Sequence, residues 1–167
     1  MRYYIQPLCG VEMAITISLV GNVYHLAGSF DEHLDLSPLA ALPRPLHLSL
    51  AEVESINSHG VRAWLVFIQD NFQAQLFFHN CSSPFIDMAN MMEGFLYWGP
   101  RVDRVKSVIL PFICEKCAKS SNISIAADKV KFFQGGAMVP AQRCPTCAVN
   151  LTCETDLGEY FAFMTLK

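Results

Sequence analysis

Along residues 11–110 the apolar positions switch repeatedly between a period of two and a period near three and a half. Residues 11–20 (VEMAITISLV) put Met13, Ile15 and Ile17 on one face, the alternation of a half-buried strand. Gly21-Asn22 is a turn signal and predicts a hairpin into a second strand over residues 23–27. Ser37-Pro38 reads as N-cap and first residue of a short helix that Pro43 stops. Leu46, Leu48 and Leu50 alternate again, a short strand over residues 45–51. From Ser58 the period lengthens: Val61, Trp64, Leu65 and Ile68 fall on one helical face. Residues 74–79 (AQLFFH) return to strand. Ser83-Pro84 then opens a helix carrying Phe85, Met88, Ala89, Met92 and Phe95 at helical spacing. Residues 105–113 (VKSVILPFI) form a last strand that runs straight into Cys114. Strands alternating with helices predict an α/β layered fold.

Beyond Cys114 the pattern changes. Helical periodicity is weak, Gly135-Gly136 marks a turn, and residues 159–164 (EYFAFM) are aromatic and strand-like. The chain therefore divides into an α/β domain over residues 1–110 and a β-rich ribbon over 111–167. No internal repeat and no low-complexity stretch interrupts this order.

The strongest chemical signal lies in the ribbon. Cys114-Glu115-Lys116-Cys117 and Cys144-Pro145-Thr146-Cys147 are two C-x-x-C turns separated by twenty-six residues. Each turn lets two thiolates grip one tetrahedral ion, and two turns close a four-sulfur shell. A closed shell has no open position for water or substrate, so the site reads as structural zinc. Two disulfides and a redox dithiol are the competing readings of such pairs. Cys9, Cys81 and Cys153 carry no assigned role.

Composition sharpens the picture. Of 167 residues 52% are hydrophobic and 16% charged, which argues against disorder. The net charge of −3 leaves no strong basic field to hold nucleic acid. No apolar run reaches the ~18 residues that a membrane span needs, and residues 1–7 lack the apolar stretch of a signal peptide. The expectation is a cytoplasmic protein with reduced thiols.

The stretch LHLSLAEVESINSHGVRAWLVFI, residues 46–68, resembles the signature of STAS domains, the family of anti-sigma factor antagonists and sulfate-transporter tails. That signature is a hydrophobic strand, a short loop, an Asp-Ser-Ser-Gly-like turn and an amphipathic helix; here Asn57-Ser58-His59-Gly60 fills the turn. The resemblance extends more weakly over residues 11–110. The whole chain also looks like a bacterial subgroup in which a STAS-like domain runs into a Cys-x-x-Cys ribbon. It implies a STAS-like mixed sheet with helices, and a regulatory protein–protein interaction module whose partner is an anti-sigma factor or another signalling protein. The partner or switch surface would be Asn57, Ser58, His59, Gly60 and Arg62, with Gln69 and Asp70 further along the helix. Aligned on Gly60, the family's phosphoserine position holds His59, Ser58 lies one residue earlier, and Asn57 replaces the usual aspartate. The bottom-up reading of Ser58 is a plain helix cap. Gly60 permits close approach of another surface, and a phosphate at this helix start would meet free N–H groups.

Other residues read as structural. None of the five histidines forms a spaced ligand pair such as H-x-x-x-H; His47 and His79 belong to apolar strands as core or edge residues. Asp31, Glu32 and Asp35 sit near a helix start. Arg101, Arg104 and Lys106 read as a solvated basic loop, and Met88, Met91 and Met92 as core packing. No catalytic or phosphate-binding motif is present, so no enzyme activity is expected. Two alternatives remain. One is a rubredoxin-like iron protein, although Ala118 and Ala148 stand where such knuckles carry glycine. The other is a nucleic-acid-binding zinc ribbon, which the net acidity disfavours.

Overall fold

The computed structural model describes residues 15–71, 75–96, 104–134 and 136–165. The protein is mixed α/β. Strands β1 (Ile15–Val20) and β2 (Val23–Phe30) form the expected hairpin, and Gly21 supplies the positive φ of 61° that the tight turn needs. The residues expected to begin β1 before Ile15 lie outside the described part. After the short helix α1 (Ser37–Ala40), β3 (Leu46–Ile56) lies parallel to β2 and is parallel in turn to β4 (Leu76–His79). Helix α2 (Ser58–Asp70) joins β3 to β4, and α3 (Ser83–Met91) follows β4. The strand expected over 45–51 is in fact eleven residues long, because a β-bulge lets its polar second half stay paired with β2 out to Ile56.

One aromatic cluster fixes the helices on the sheet. Trp64 of α2 lies within 5.1–6.1 Å, ring to ring, of Phe30, Phe78, Phe85 and Phe95, and all five side chains are buried. The indole N–H donates to the carbonyl of Phe95 at 2.6 Å, so the one polar atom of the largest core side chain is satisfied.

Strand β5 (Ser107–Ile113) belongs to both halves of the chain. Lys106 N donates to Phe78 O (2.8 Å), Cys81 N to Ser107 O (3.0 Å) and Ile109 N to Cys81 O (2.9 Å), so β5 begins parallel to the end of β4. Its whole length then pairs antiparallel with β6 (Ser120–Ala126), and its end pairs with β9 (Thr152–Cys153). Residue 110, the expected boundary, falls inside this strand. A separate ribbon pairs β7 (Lys131–Phe133) with β8 (Gly136–Met138) antiparallel; Gly135, part of the expected turn, lies outside the described residues.

Two expectations are corrected. Residues 159–164 are not a strand but two helical turns, α4 (Leu157–Tyr160) and α5 (Ala162–Thr165). Asp156 caps α4 by accepting from Gly158 N (2.8 Å) and Glu159 N (3.1 Å), and the Asn90 side chain of α3 binds the carbonyls of Glu159 and Tyr160 and the amide of Phe163. Tyr160, Phe161 and Phe163 are buried at this junction, so packing and caps override the strand propensity of the aromatics. The helix starts also sit one residue earlier than read: Leu36 and Ser82 are the N-caps of α1 and α3, and Ser82 spends its hydroxyl on the carbonyl of Val53 (2.9 Å). No helix among the described residues is long and apolar enough to cross a membrane.

Candidate metal centre

The two C-x-x-C turns adopt the same local form. In each, the residue after the second cysteine folds back on the first: Ala118 N donates to Cys114 O (2.7 Å) and Ala148 N to Cys144 O (2.9 Å). A second bond closes each loop, from Cys114 N to Lys119 O (3.0 Å) and from Cys144 N to Val149 O (2.9 Å). The fold-back needs a left-handed residue, and Ala118 (φ 55°) and Ala148 (φ 56°) provide it. These are the glycine positions noted above; alanine fills them with the same conformation at a steric cost.

The turns bring the four sulfurs of Cys114, Cys117, Cys144 and Cys147 within 4.8 Å of one another. A tetrahedral shell with metal–sulfur bonds of about 2.3 Å spaces its sulfurs by roughly 3.8 Å. Cys117 Sγ and Cys144 Sγ lie 3.8 Å apart. The donor set therefore fits a metal ion. Cys114 and Cys144 are buried, while Cys117 and Cys147 are half-exposed. The backbone N–H groups of Cys147 and Thr146 turn toward the Cys144 sulfur and hold its thiol down to about 6. Cys147 is pushed up to about 12, first by its contact with the Cys117 sulfur. Four thiolates cannot crowd together unaided, and a dication at their centre removes that conflict. Glu115 adds a brace that the sequence did not single out, accepting a bond from the Thr152 hydroxyl at 2.9 Å.

The turn at residues 57–60 opens α2. Here the cap is Asn57 and not Ser58: the Asn57 side chain accepts from His59 N (2.9 Å) and Gly60 N (3.0 Å). Two of the helix-start donors expected to be free for a phosphate are thus already taken. Asn57 N also donates to Phe30 O (2.9 Å), and its amide group to Glu32 Oε2 (3.1 Å). Glu32 is held below the usual carboxylate range, first by its own backbone N–H and then by Asn57. Ser58, His59 and Arg62 are exposed. Gly60 is buried, and the surface it approaches is the protein's own: a Cβ there would stand 2.0 Å from the carbonyl oxygen of Phe30.

The remaining candidates separate. Arg104 is not solvated but buried, whereas Lys106 is exposed and lies 4.7 Å above the Phe77 ring; Arg101 falls outside the described residues. Met88 and Met92 pack against the core, while Met91 is 67% exposed. Cys81 is fully buried and burial pushes its thiol far up, as for a small apolar residue. His47 and His79 meet across the sheet, a pairing that sequence spacing could not reveal. No family model matches the chain, and neither does any curated protein or any solved structure.

Proposed function

We propose that this protein is a regulatory protein–protein interaction module of the cytoplasm, a STAS-like α/β domain braced by a four-cysteine zinc ribbon, with no catalytic turnover of its own. The observation that carries this reading is the fixed presentation of Ser58 and His59. Asn57 caps the helix beneath them, Asn57 N is tied to Phe30, and Gly60 is pressed against the same residue. Both side chains nonetheless face solvent, with Arg62, Val66, Gln69 and Asp70 continuing the exposed side of α2. A preorganised patch of this kind loses little entropy when a protein partner docks. The partner is an anti-sigma factor or another signalling protein. The closed sulfur shell, lacking a position for substrate, supports a structural role for the ion.

Affinity capture from native cells tests the interface. A Ser58→Asp/His59→Ala protein should lose a specific partner that the unaltered protein retains, at equal metal content and melting temperature. Capture of the same proteins by both would place the interface elsewhere and remove the reading's main support. Elemental analysis tests the ion: one zinc per chain is expected, and red tetrathiolate colour would mean iron.

A further inference from the structure

Large apolar side chains left open to solvent are not scattered evenly. Among the described residues seven are exposed, and four of them, Met91, Phe132, Phe133 and Met138, fall close to α3 or on the β7–β8 hairpin. Both elements pack against α4, so the four lie to either side of one short helix. Alternate residues of a strand face opposite ways. Phe132 meets the Phe161 ring edge-on at 6.1 Å and pairs with buried Ala137, so it faces the body of the protein. Lys131 and Phe133 take the opposite face, where Met138 stands across from Lys131. The Phe133 ring lies over Gly136, 3.2 Å from where a Cβ would stand, and is still 58% exposed. The hairpin thus presents a braced aromatic ring beside a cation.

The other side of α4 carries the opposite charge. A recess of about 520 Å³ between α3 and α4 is lined by Asp87, Met91, Asp156 and Glu159, with Asn90, Thr155 and Tyr160. None of its three carboxylates forms an ion pair among the described residues, and neither does Lys131; Lys129 pairs only with the adjoining Asp128, at 3.5 Å. The segregation extends along the chain. Residues 116–153 hold five of the twelve cations and one of the fifteen carboxylates. An acidic recess edged by methionine and a basic hairpin bearing phenylalanine match in charge and in apolar character. Within one molecule they do not meet, since Phe133, Met138 and Met91 all stay open.

We propose that the β7–β8 hairpin and the α3–α4 recess dock on each other between two copies of this chain. Under two-fold symmetry the hairpin of each copy enters the recess of the other, so both contacts form at once and the assembly closes as a dimer. Phe133 and Met138 cover Met91, and Lys131 meets the carboxylates. Exposed apolar surface rimmed by polar groups is the mark of such an interface. A nucleic acid would have to approach a chain of net charge −3, whereas a second copy brings the matching carboxylates itself.

The test follows the full chain by sedimentation velocity across concentration and salt. A dimer is expected, weakened by added salt because exposed charge pairs are screened. Phe133→Ser should raise its dissociation constant by at least about tenfold, as loss of an aromatic anchor does. Lys129→Glu/Lys131→Glu and Asp87→Lys/Glu159→Lys should each be monomeric alone. Mixed together, the two altered proteins should pair, because each hairpin then meets a recess of opposite charge. Recovery on mixing also shows that both are folded. The proposal is overturned if the unaltered chain stays monomeric at every concentration, including the case in which that monomer shifts a single-stranded oligonucleotide through Lys131. It is overturned equally if the dimer is indifferent to Phe133→Ser, or if the two altered proteins stay apart when mixed.

Discussion

Two halves of this chain solve the problem of holding strands together by different physics. In residues 15–96 packed apolar side chains clamp the paired strands: Leu26, Leu46, Leu48, Leu50 and Leu76 are fully buried, as is Trp64. In residues 114–153 little is buried. Strand β6 exposes alternate positions, β7 exposes all three of its residues, and Phe132, Phe133 and Met138 lie 42–58% open. What the second region has instead is four sulfurs within 4.8 Å. Buried area scales with the amount of chain available to wrap it, so a short ribbon needs a staple where a full domain does not. The two regions are joined through β5, which hydrogen-bonds to β4's end on one side and to β6 along its length.

The sharpest way to break the contrast is to remove the ion. Binding energy in small structural zinc modules is folding energy, apparent values reaching about 10–16 kcal/mol at neutral pH. Chelation, or Cys144→Ser, should abolish amide protection from Cys114 to Cys153 while β1–β4 keep theirs. Hydrogen exchange measures this strand by strand. Uniform loss across the chain would mean that β5 couples the halves into one cooperative unit.

The converse experiment strikes the aromatic clamp. Trp64→Ala removes the ring that touches Phe30, Phe78, Phe85 and Phe95 and orphans a carbonyl bonded at 2.6 Å. Core truncations of this size cost about 3–5 kcal/mol. The urea midpoint of the α/β part should fall accordingly, with one metal ion per chain still bound. Release of the ion at the same midpoint would show that the ribbon cannot outlast the domain.

The same division explains what could be read from sequence. Both C-x-x-C turns were legible because thiolate chemistry demands short local spacing. Strands β1 to β5 and helices α2 and α3 were legible because each buries one face, and burial writes a period into the sequence. The carboxyl-terminal turns were not: Tyr160, Phe161 and Phe163 favour strand locally, and their burial, with bonds from Asp156 and from Asn90, seventy residues away from Tyr160, holds them helical. The cap of α2 was misplaced by one residue, since Asn57 and Ser58 are both good caps and only the backbone decides between them. The His47–His79 contact depends on strand register, which no local pattern encodes.

Gly60 sharpens the comparison within the α/β half. A methyl group there would lie 2.0 Å from the backbone oxygen of Phe30, and backbone has little room to yield. Gly60→Ala should cost about 1–3 kcal/mol, as overpacking does, and shift the thermal midpoint of the α/β part. Ser58→Ala, one turn face away and exposed, should move it by less than about 0.5 kcal/mol. Equal effects of the two would mean that the turn is loose and the fixed presentation of Ser58 and His59 is not real.

The smallest effect belongs to the knuckles, and its sign is the informative part. Ala118 and Ala148 hold φ values of 55° and 56°, and both are exposed, so their methyl groups contribute little packing. For an L-residue the left-handed conformation costs roughly 1–2 kcal/mol. Glycine removes that strain but adds about 0.5–1 kcal/mol of backbone entropy to be lost on folding. The net of Ala148→Gly should therefore be a gain of about 0–1.5 kcal/mol, confined to the ribbon. Competition with a coloured chelator should report tighter metal retention, while the urea midpoint of the α/β part stays unchanged. Weaker retention in the glycine protein would mean that the alanine methyl shields the sulfurs from water. The left-handed residue would then be part of the metal's protection and not merely a strained hinge in its loop.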